Sequence, residues 1–420
     1  MKFLRNIIKK YEDPLYRNSH YLMINSILAS ILGFIFWIII ARSFNTHEVG
    51  LATALISISG ILSIYSTLGL DISIIRYLAD EEDKKKFINI CLTIVTVTSL
   101  AISTVFLLGI SVWAPTISYV NDYLIYMILF VLFTTSGALF YIMNNTFIAL
   151  RDTKDLLIQN LFLNLIRIPL PFFLVFLLAN FSIFASFSLS MIITLTISLL
   201  IFLRRKIPDY KPKFEFDIDV LRKVFHFSTA NYVSSIFGNL PTMVLPLIII
   251  SFLQPAENAY YYIAFTIASV LFVVPVSFSS SLLAEGSYND MNFYNNLKKA
   301  LKQTYLILVP AVILTIIFGD KILLIFGKAY SSEGTTLLSL FAVSAIFISL
   351  NSLYITYLRI RMKKKELMIL TPFSSSLTII IAYVLIPKIG IMGTGIGYLV
   401  AQALFSTYII LNLLRLRWKK

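Results

Sequence analysis

Polar residues in this chain come in short clusters. The runs between them stay apolar for about 20 residues, the length a helix needs to cross a hydrocarbon core. Such windows lie at 18–41, 49–70, 87–121, 123–150, 224–256, 258–284, 303–319, 334–358, 367–387 and 389–414. The window 303–319 is short and draws on residues from Lys298 to Lys302 for full length. A longer one, 156–203, has room for two spans that reverse at Ala179-Asn180-Phe181-Ser182. The pattern predicts an all-α integral membrane protein with twelve transmembrane helices.

Composition agrees. Residues of hydrophobic type make up 58% and charged residues 13% of the 420, too few charges to cover a soluble domain of this size. One cysteine, Cys91, excludes a disulfide framework or a thiolate metal cluster. The net charge of +14 would suggest nucleic acid in a soluble protein. Here the basic residues flank apolar runs, the mark of a cytoplasmic membrane face, and no nucleic-acid partner is expected. Ser19 to Ala41 is too long for a cleavable signal and lacks a small-residue cleavage site.

The basic residues also set the orientation. With twelve spans and a cytoplasmic N-terminus, thirty of the 35 Lys and Arg fall in cytoplasmic segments. Arg42, Lys321, Lys328 and Lys388 fall outside, and Arg167 lies within a span. A wrong span count would scramble that alternation, so a multi-pass protein of the plasma membrane with both termini cytoplasmic is expected.

The loop Arg204 to Lys223 divides the helices six and six, predicting an N-lobe over 1–203, a linker over 204–223 and a C-lobe over 224–420. The halves echo each other: Ser30-Ile31-Leu32-Gly33 resembles Ser235-Ile236-Phe237-Gly238, and Glu48 and Glu257 open the second helix of each. Six helices per half keep the repeats in one orientation, related by a pseudo-two-fold along the membrane normal. Transporters commonly bind substrate at such a repeat interface.

Two stretches carry a family resemblance. "RNSHYLMINSILASILGFIFWIIIARSFNTHEVGLATALISISGIL" (17–62) resembles the opening of polysaccharide-biosynthesis membrane proteins of the Wzx-type flippase group. These belong to the multidrug/oligosaccharidyl-lipid/polysaccharide exporter superfamily. "ANYVSSIFGNLPTMVLPLIIISFLQPAENAYYYIAFTIASVLFVVPVSFSSSLLAEGS" (230–287) is similar to that family's seventh and eighth helices. The resemblance implies a two-lobed flippase moving lipid-linked oligosaccharide from the cytoplasmic to the outer leaflet by alternating access. It implies a cavity between the lobes, often cationic. A polyprenyl-(di)phosphate-linked glycan is the implied partner, with glycosyltransferases or a polymerase of the same pathway nearby. A monomer without cofactor is expected.

The residues reach a similar place. An arginine deep in a bilayer costs from about 3 to more than 10 kcal/mol unless it is accommodated. Asn160, Asn164 and Arg167 share one helical face, with Gln159 alongside. That stripe must face protein or a water-filled cavity. Pro169 and Pro171 follow and should kink the helix. The span holds no carboxylate, and the nearest acids in sequence, Asp152 and Asp155, lie toward the cytoplasm. Two readings stay open for Arg167: a structural bond to carbonyls or to an acid on another helix, or attraction of an anionic substrate. A guanidinium offers paired donors that suit phosphate oxygens and stays protonated in apolar surroundings.

Other candidates lining the cavity are Tyr21 and Asn25 with Arg17 on helix one, and Asn231 and Asn239 on helix seven. Asn351 and Arg359 on helix ten complete the set. Helix–helix hydrogen bonding is the structural alternative for each amide, and membrane-surface anchoring for Arg17, Arg76, Arg151 and Arg359. Asp71 is the candidate for a coupling cation, against an interfacial cap or ion pair. His20, His47 and His226 stand at span ends, far apart, and no metal spacing or nucleophile elbow occurs. The glycine-rich "GIMGTGIG" (390–397) opens an apolar run and reads as close helix packing. "MKFLRNIIKKYE" at the start and "LRLRWKK" at the end read as amphipathic surface segments.

Two other function classes compete. A drug or metabolite exporter of the same superfamily would want intramembrane carboxylates for cationic cargo, whereas basic and amide groups occupy these spans. An enzyme polymerising glycans would need a large external loop, and the longest here is about 15 residues (319–333) without a catalytic set.

Overall fold

A computed structural model describes residues 14–288, 293–361 and 363–417. Every regular element among them is helical. Ten helical stretches among the described residues are long and apolar enough to cross a membrane, so the chain is a multi-pass membrane protein. The helices that matter below are α1 (Pro14–Ser43), α2 (Thr46–Ser66), α3 (Leu70–Tyr77), α4 (Lys84–Leu108), α5 (Leu124–Ala149), α6 (Thr153–Arg167), α7 (Leu170–Leu178) and α8 (Ser182–Ile197). After the segment 207–217 come α9 (Ile218–Phe252), α10 (Pro255–Tyr288), α11 (Phe293–Leu324), α12 (Lys328–Ile360), α13 (Lys364–Ile389) and α14 (Met392–Arg417). The amphipathic segment expected over residues 1–12 lies outside the described residues. So do the last residues, 418–420, and the side chains expected to make the C-terminal tail amphipathic.

Local chemistry sets the element boundaries. α2 opens on a capping box: Glu48 N donates to Asn45 Oδ1 (2.9 Å), and Asn45 N donates to Glu48 Oε2 (3.1 Å). At α4 the Asp83 carboxylate accepts from Lys86 N at 3.0 Å. Between α2 and α3 the chain turns through Leu68 (φ 50°) and Gly69 (φ 80°). The Thr98 hydroxyl donates to the Ser66 carbonyl at 2.6 Å, satisfying an acceptor that the break would strand in an apolar setting.

The stretch Leu170–Lys206 is continuous enough in its helical turns to count as one of the ten, but it is not straight. Ala179 has φ 41°, and α8 folds back against α7 and α6. Gln159 pairs with Ser198 and Arg167 with Ser190, so the number falls by eight on one strand of the hairpin as it rises by eight on the other. The break between α6 and α7 falls at Ile168-Pro169, beside the two prolines. Pro169 and Pro171 lack the backbone donors needed to continue the ladder. α6 has 15 residues, and α9 contributes a shorter apolar helix over Ile236–Phe252. Neither is among the ten.

The chain divides into two compact units: residues 1–40 with 55–232, and residues 41–54 with 233–420. In the first unit α5 is central, packed by α3, α4 and α8. Its aromatic core is tight: Phe181 stacks on Tyr126 (centroids 4.8 Å) and meets Phe184 edge-on (5.1 Å). In the second unit α12 is central, with α10, α11 and α14 against it. Phe341 there meets Phe265 and Tyr398 edge-on, each at 5.4 Å. Each such pair adds about 0.5–1.5 kcal/mol to area burial. Lipid tails are as apolar as leucine, so close backbone approach and hydrogen bonds must supply much of the rest. The run 390–397 does this: a Cβ at Gly397 would lie 2.9 Å from the Thr378 carbonyl oxygen.

The segment 41–54 is pinned into the second unit. Arg42 Nε donates to the Ile325 carbonyl (2.6 Å) at the C-terminal end of α11. The buried Asn258 donates to Gly50 O (2.9 Å) and Thr53 Oγ1 (3.0 Å). Gly50 is indispensable to this seat, since a Cβ there would stand 1.7 Å from Pro255 O.

Candidate functional site

Several polar groups of the first unit meet on α6. Thr153 at its start donates to Asn18 Oδ1 on α1 at 3.0 Å. Nearly two turns on, the Gln159 side chain is fully buried and bonded at both ends. Its Nε2 donates to Asn144 Oδ1 on α5 (2.8 Å), and its Oε1 accepts from the Ser198 hydroxyl (2.7 Å). Asn164, also buried, donates to the Asn160 carbonyl at 2.8 Å, while Asn160 itself is half-buried.

Arg167 ends the series, 7% exposed. Its guanidinium lies over the Phe187 ring, 3.7 Å from the centroid, with Phe36 of α1 at 6.0 Å. Its Nε points to Ser190 Oγ at 3.5 Å, a long contact that contributes little. A desolvated cation on an aromatic face is worth about 2 kcal/mol or more. That offsets part of the cost of burying an arginine.

At the polar end of α6, ahead of its apolar run, Asp152 is buried and pairs with Lys206 Nζ at 3.4 Å. Burial, with Asp152 adding to it, pushes the Asp155 carboxyl up against a downward pull from Arg205 and Lys206.

The second unit has its own network, built of neutral groups. Asn351 on α12 donates to Gln402 Oε1 on α14 (2.7 Å) and accepts from Ser406 Oγ (2.8 Å). Gln402 Nε2 continues to Ser374 Oγ on α13 (3.3 Å). Nearby, Asn412 donates to the Tyr354 hydroxyl at 3.0 Å. Asn351 is thus committed to bonds within its own unit.

The remaining sequence candidates are scattered. Tyr21 and Asn25 are half-buried on α1, and the buried Asn25 Oδ1 accepts no hydrogen bond among the described residues. Asn239 and Arg359 are exposed. The side chains of Arg17 and Asn231 lie outside the described residues. Asp71 sits on α3, half-buried, and accepts from Thr67 Oγ1 at 3.2 Å. No group of three or more His, Cys, Asp or Glu that could hold a metal occurs among the described residues.

Three features escaped the sequence reading: the Phe187 platform, the closed Gln159–Asn144–Ser198 bridge, and the pinning of 41–54 by Asn258. Phe187 lies three residues before Ser190 in an unremarkable apolar run. Its only signal is that the hairpin register at 179–182 carries it to the level of Arg167.

All-helical among the described residues and multi-pass, the chain has a fold similar to that of solved transporters of the MOP superfamily. The profile of the family described as polysaccharide biosynthesis protein matches residues 15–283, and the chain belongs to that family. Among solved structures it is similar to the lipid II flippase MurJ in an inward closed conformation, with TM-score 0.76 and 16% identity over 93% of this chain and 87% of that one. An inward-facing multidrug resistance MATE family transporter of the MOP superfamily gives 0.69 and 14%, over 93% and 95%. A MOP superfamily transporter from Pyrococcus furiosus gives 0.59 and 13%, over 96% of both. At these identities the likeness is one of fold. No curated protein matches the chain.

Proposed function

We propose that this protein is a flippase that carries a lipid-linked oligosaccharide or polysaccharide unit from the cytoplasmic to the outer leaflet of the plasma membrane, and that it is not an enzyme. The observation that carries the reading is Arg167: a permanent cation buried on an aromatic platform, in a member of a polysaccharide biosynthesis family. The similarity of fold to a lipid II flippase supports it. In this proposal α6–α7 and α8 each cross the membrane, as does α9, which makes twelve crossings. Six lie on either side of the 204–223 linker as pseudo-symmetric lobes, with both termini cytoplasmic. The protein works as a monomer alongside the glycosyltransferases or polymerase of its pathway.

The cargo's diphosphate is the group for Arg167. The guanidinium plane offers paired donors to phosphate oxygens that no ammonium can reproduce. Asn164, Asn160, Asn25 and Tyr21 supply neutral donors along the same route. Asp71 is the place for a coupling cation. Coupling is not obligatory, since a cargo with two negative charges gains about 4–5 kcal/mol on leaving across a 100 mV inside-negative potential.

The test is transport in proteoliposomes with fluorescent polyprenyl-diphosphate glycan. Arg167→Gln should slow flipping about tenfold to a hundredfold, the scale of a charged hydrogen bond. Arg167→Lys should recover only part of the rate. Wild-type flipping by Arg167→Gln would make the arginine structural and remove the basis of the proposal.

A further inference from the structure

The segment 207–217 is not a free tether. It is strapped along α4, in the first unit, by three hydrogen bonds and an ion pair. Tyr210 Oη donates to Asn89 Oδ1 (2.7 Å), Asn89 Nδ2 donates to Lys211 O (3.3 Å), and Glu215 N donates to Thr93 Oγ1 (3.1 Å). Lys86 closes the strap on Asp217 at 3.2 Å. Burial pushes the Tyr210 hydroxyl up, so it stays a neutral donor.

Beneath the strap is a cavity of about 160 Å³ walled by Leu92 of α4, Leu139 of α5, and Leu195 and Leu199 of α8 and its continuation. Its polar side chains are already used. Asn89 and Thr93 hold the strap, and Thr96 Oγ1 donates to the Leu92 carbonyl at 2.7 Å. An apolar cavity of roughly 150 Å³ stays dry and takes hydrocarbon of about benzene size. The mouth is formed by Pro212, Lys213 and Phe214. Phe214 is 84% and Phe216 65% exposed, and both lie on the strap. Lys206 is drawn to Asp152 and Asp217 to Lys86, and among the other charged residues of 204–217, Arg204, Arg205, Lys211 and Lys213 outnumber Asp209 and Glu215. Exposed aromatic rings among lysines beside apolar helices fit the headgroup level of a membrane. Four or more basic residues next to a span attract anionic lipid, each worth about a five-fold gain in binding.

We propose that this cavity is a binding site for a short part of one acyl chain of an anionic phospholipid of the leaflet facing the basic loops, with Lys211 and Lys213 on its headgroup phosphate and Phe214 at the glycerol level. The lipid anchors the strap from which α9 starts. The site does not depend on which cargo is transported.

The full chain would be reconstituted in vesicles of equal parts phosphatidylcholine and phosphatidylglycerol, extracted in mild detergent, and its retained lipid weighed by native mass spectrometry. The wild type should retain phosphatidylglycerol over phosphatidylcholine. Lys211→Gln and Lys213→Gln should each lower that preference about five-fold. Leu199→Trp, which fills the cavity, should strip retained lipid of both kinds, with its melting curve checked against wild type. Should Leu199→Trp fail to fold, the exposed lysine variants decide alone. Equal retention of the two lipids by the wild type, or unchanged preference in both lysine variants, would overturn the site. Displacement of phosphatidylglycerol by polyprenyl diphosphate would also overturn it, because the groove would then belong to the transported lipid.

Discussion

The two units solve the same problem in different ways. Each must join helices in an environment where apolar burial gives little, and each does so with buried amides and hydroxyls. In the second unit, Asn351, Gln402, Ser406 and Ser374 tie α12, α14 and α13 together through neutral partners. In the first, Gln159, Asn144 and Ser198 make an equally closed bridge, but one and two turns along α6 it gives way to Asn164 and Arg167. An amide network can complete itself, because each amide offers both donors and acceptors. A guanidinium has five donors and no acceptor. Its accommodation here draws on the face of Phe187 instead. A neutral closed network stabilises; Arg167 is the group that the proposed transport assigns to the cargo.

That contrast can be broken by experiment. The largest expected effect is functional and confined to the first unit: Arg167→Gln loses transport while its melting temperature stays near wild type. Asn351→Ala should do the reverse. It strands Gln402 and Ser406, costs about 1–3 kcal/mol, and leaves transport per folded molecule unchanged. A transport defect in Asn351→Ala, measured at equal folded protein, would erase the distinction between the networks.

Gly50→Ala probes the second unit's hold on 41–54. The new methyl would overlap backbone rather than a mobile side chain, so a loss of about 3 kcal/mol or more is expected, read by thermal unfolding in detergent. An unchanged melting temperature would mean that the seat of α2 on Pro255 gives way easily. In either outcome, Arg42→Gln should cost less than Gly50→Ala, since it removes a bond without creating an overlap.

The smallest effect lies at the polar end of α6. Asp155 has its carboxyl raised by burial and by Asp152. The contribution of that group is therefore fully present below its unfolded value of about 4 and is lost as pH rises through the higher folded value. Asp155→Asn should melt slightly above wild type at neutral pH, and the two should converge in acid. A gap that persists below pH 4 would point to a cause other than ionisation.

The hydrophobic pattern alone determined much of this. Runs of about 20 apolar residues can only be satisfied by helices in lipid, because the backbone must bond to itself there. The reversal near Ala179 and the break by the prolines were also local matters, set by residues adjacent in the chain. So was the stripe of Asn160, Asn164 and Arg167, with Gln159 alongside it, since helical spacing places the three on one face whatever surrounds them. What each member of the stripe does was not local. Gln159 is a closed structural bridge and Arg167 a cation on a ring because α8 brings Ser198 to one and Phe187 to the other. Ring stacking at 3.7 Å leaves no trace in the periodicity of either helix. The strap over α4 was equally hidden: Asn89 and Thr93 look like ordinary polar residues in an apolar run until the linker returns to bond them. The same holds for Gly50, whose need to be glycine comes from Pro255, some two hundred positions away in sequence. Helix formation was legible because it depends on chain neighbours and solvent; partners at long range depend on how helices pack, and only the tertiary structure decides that.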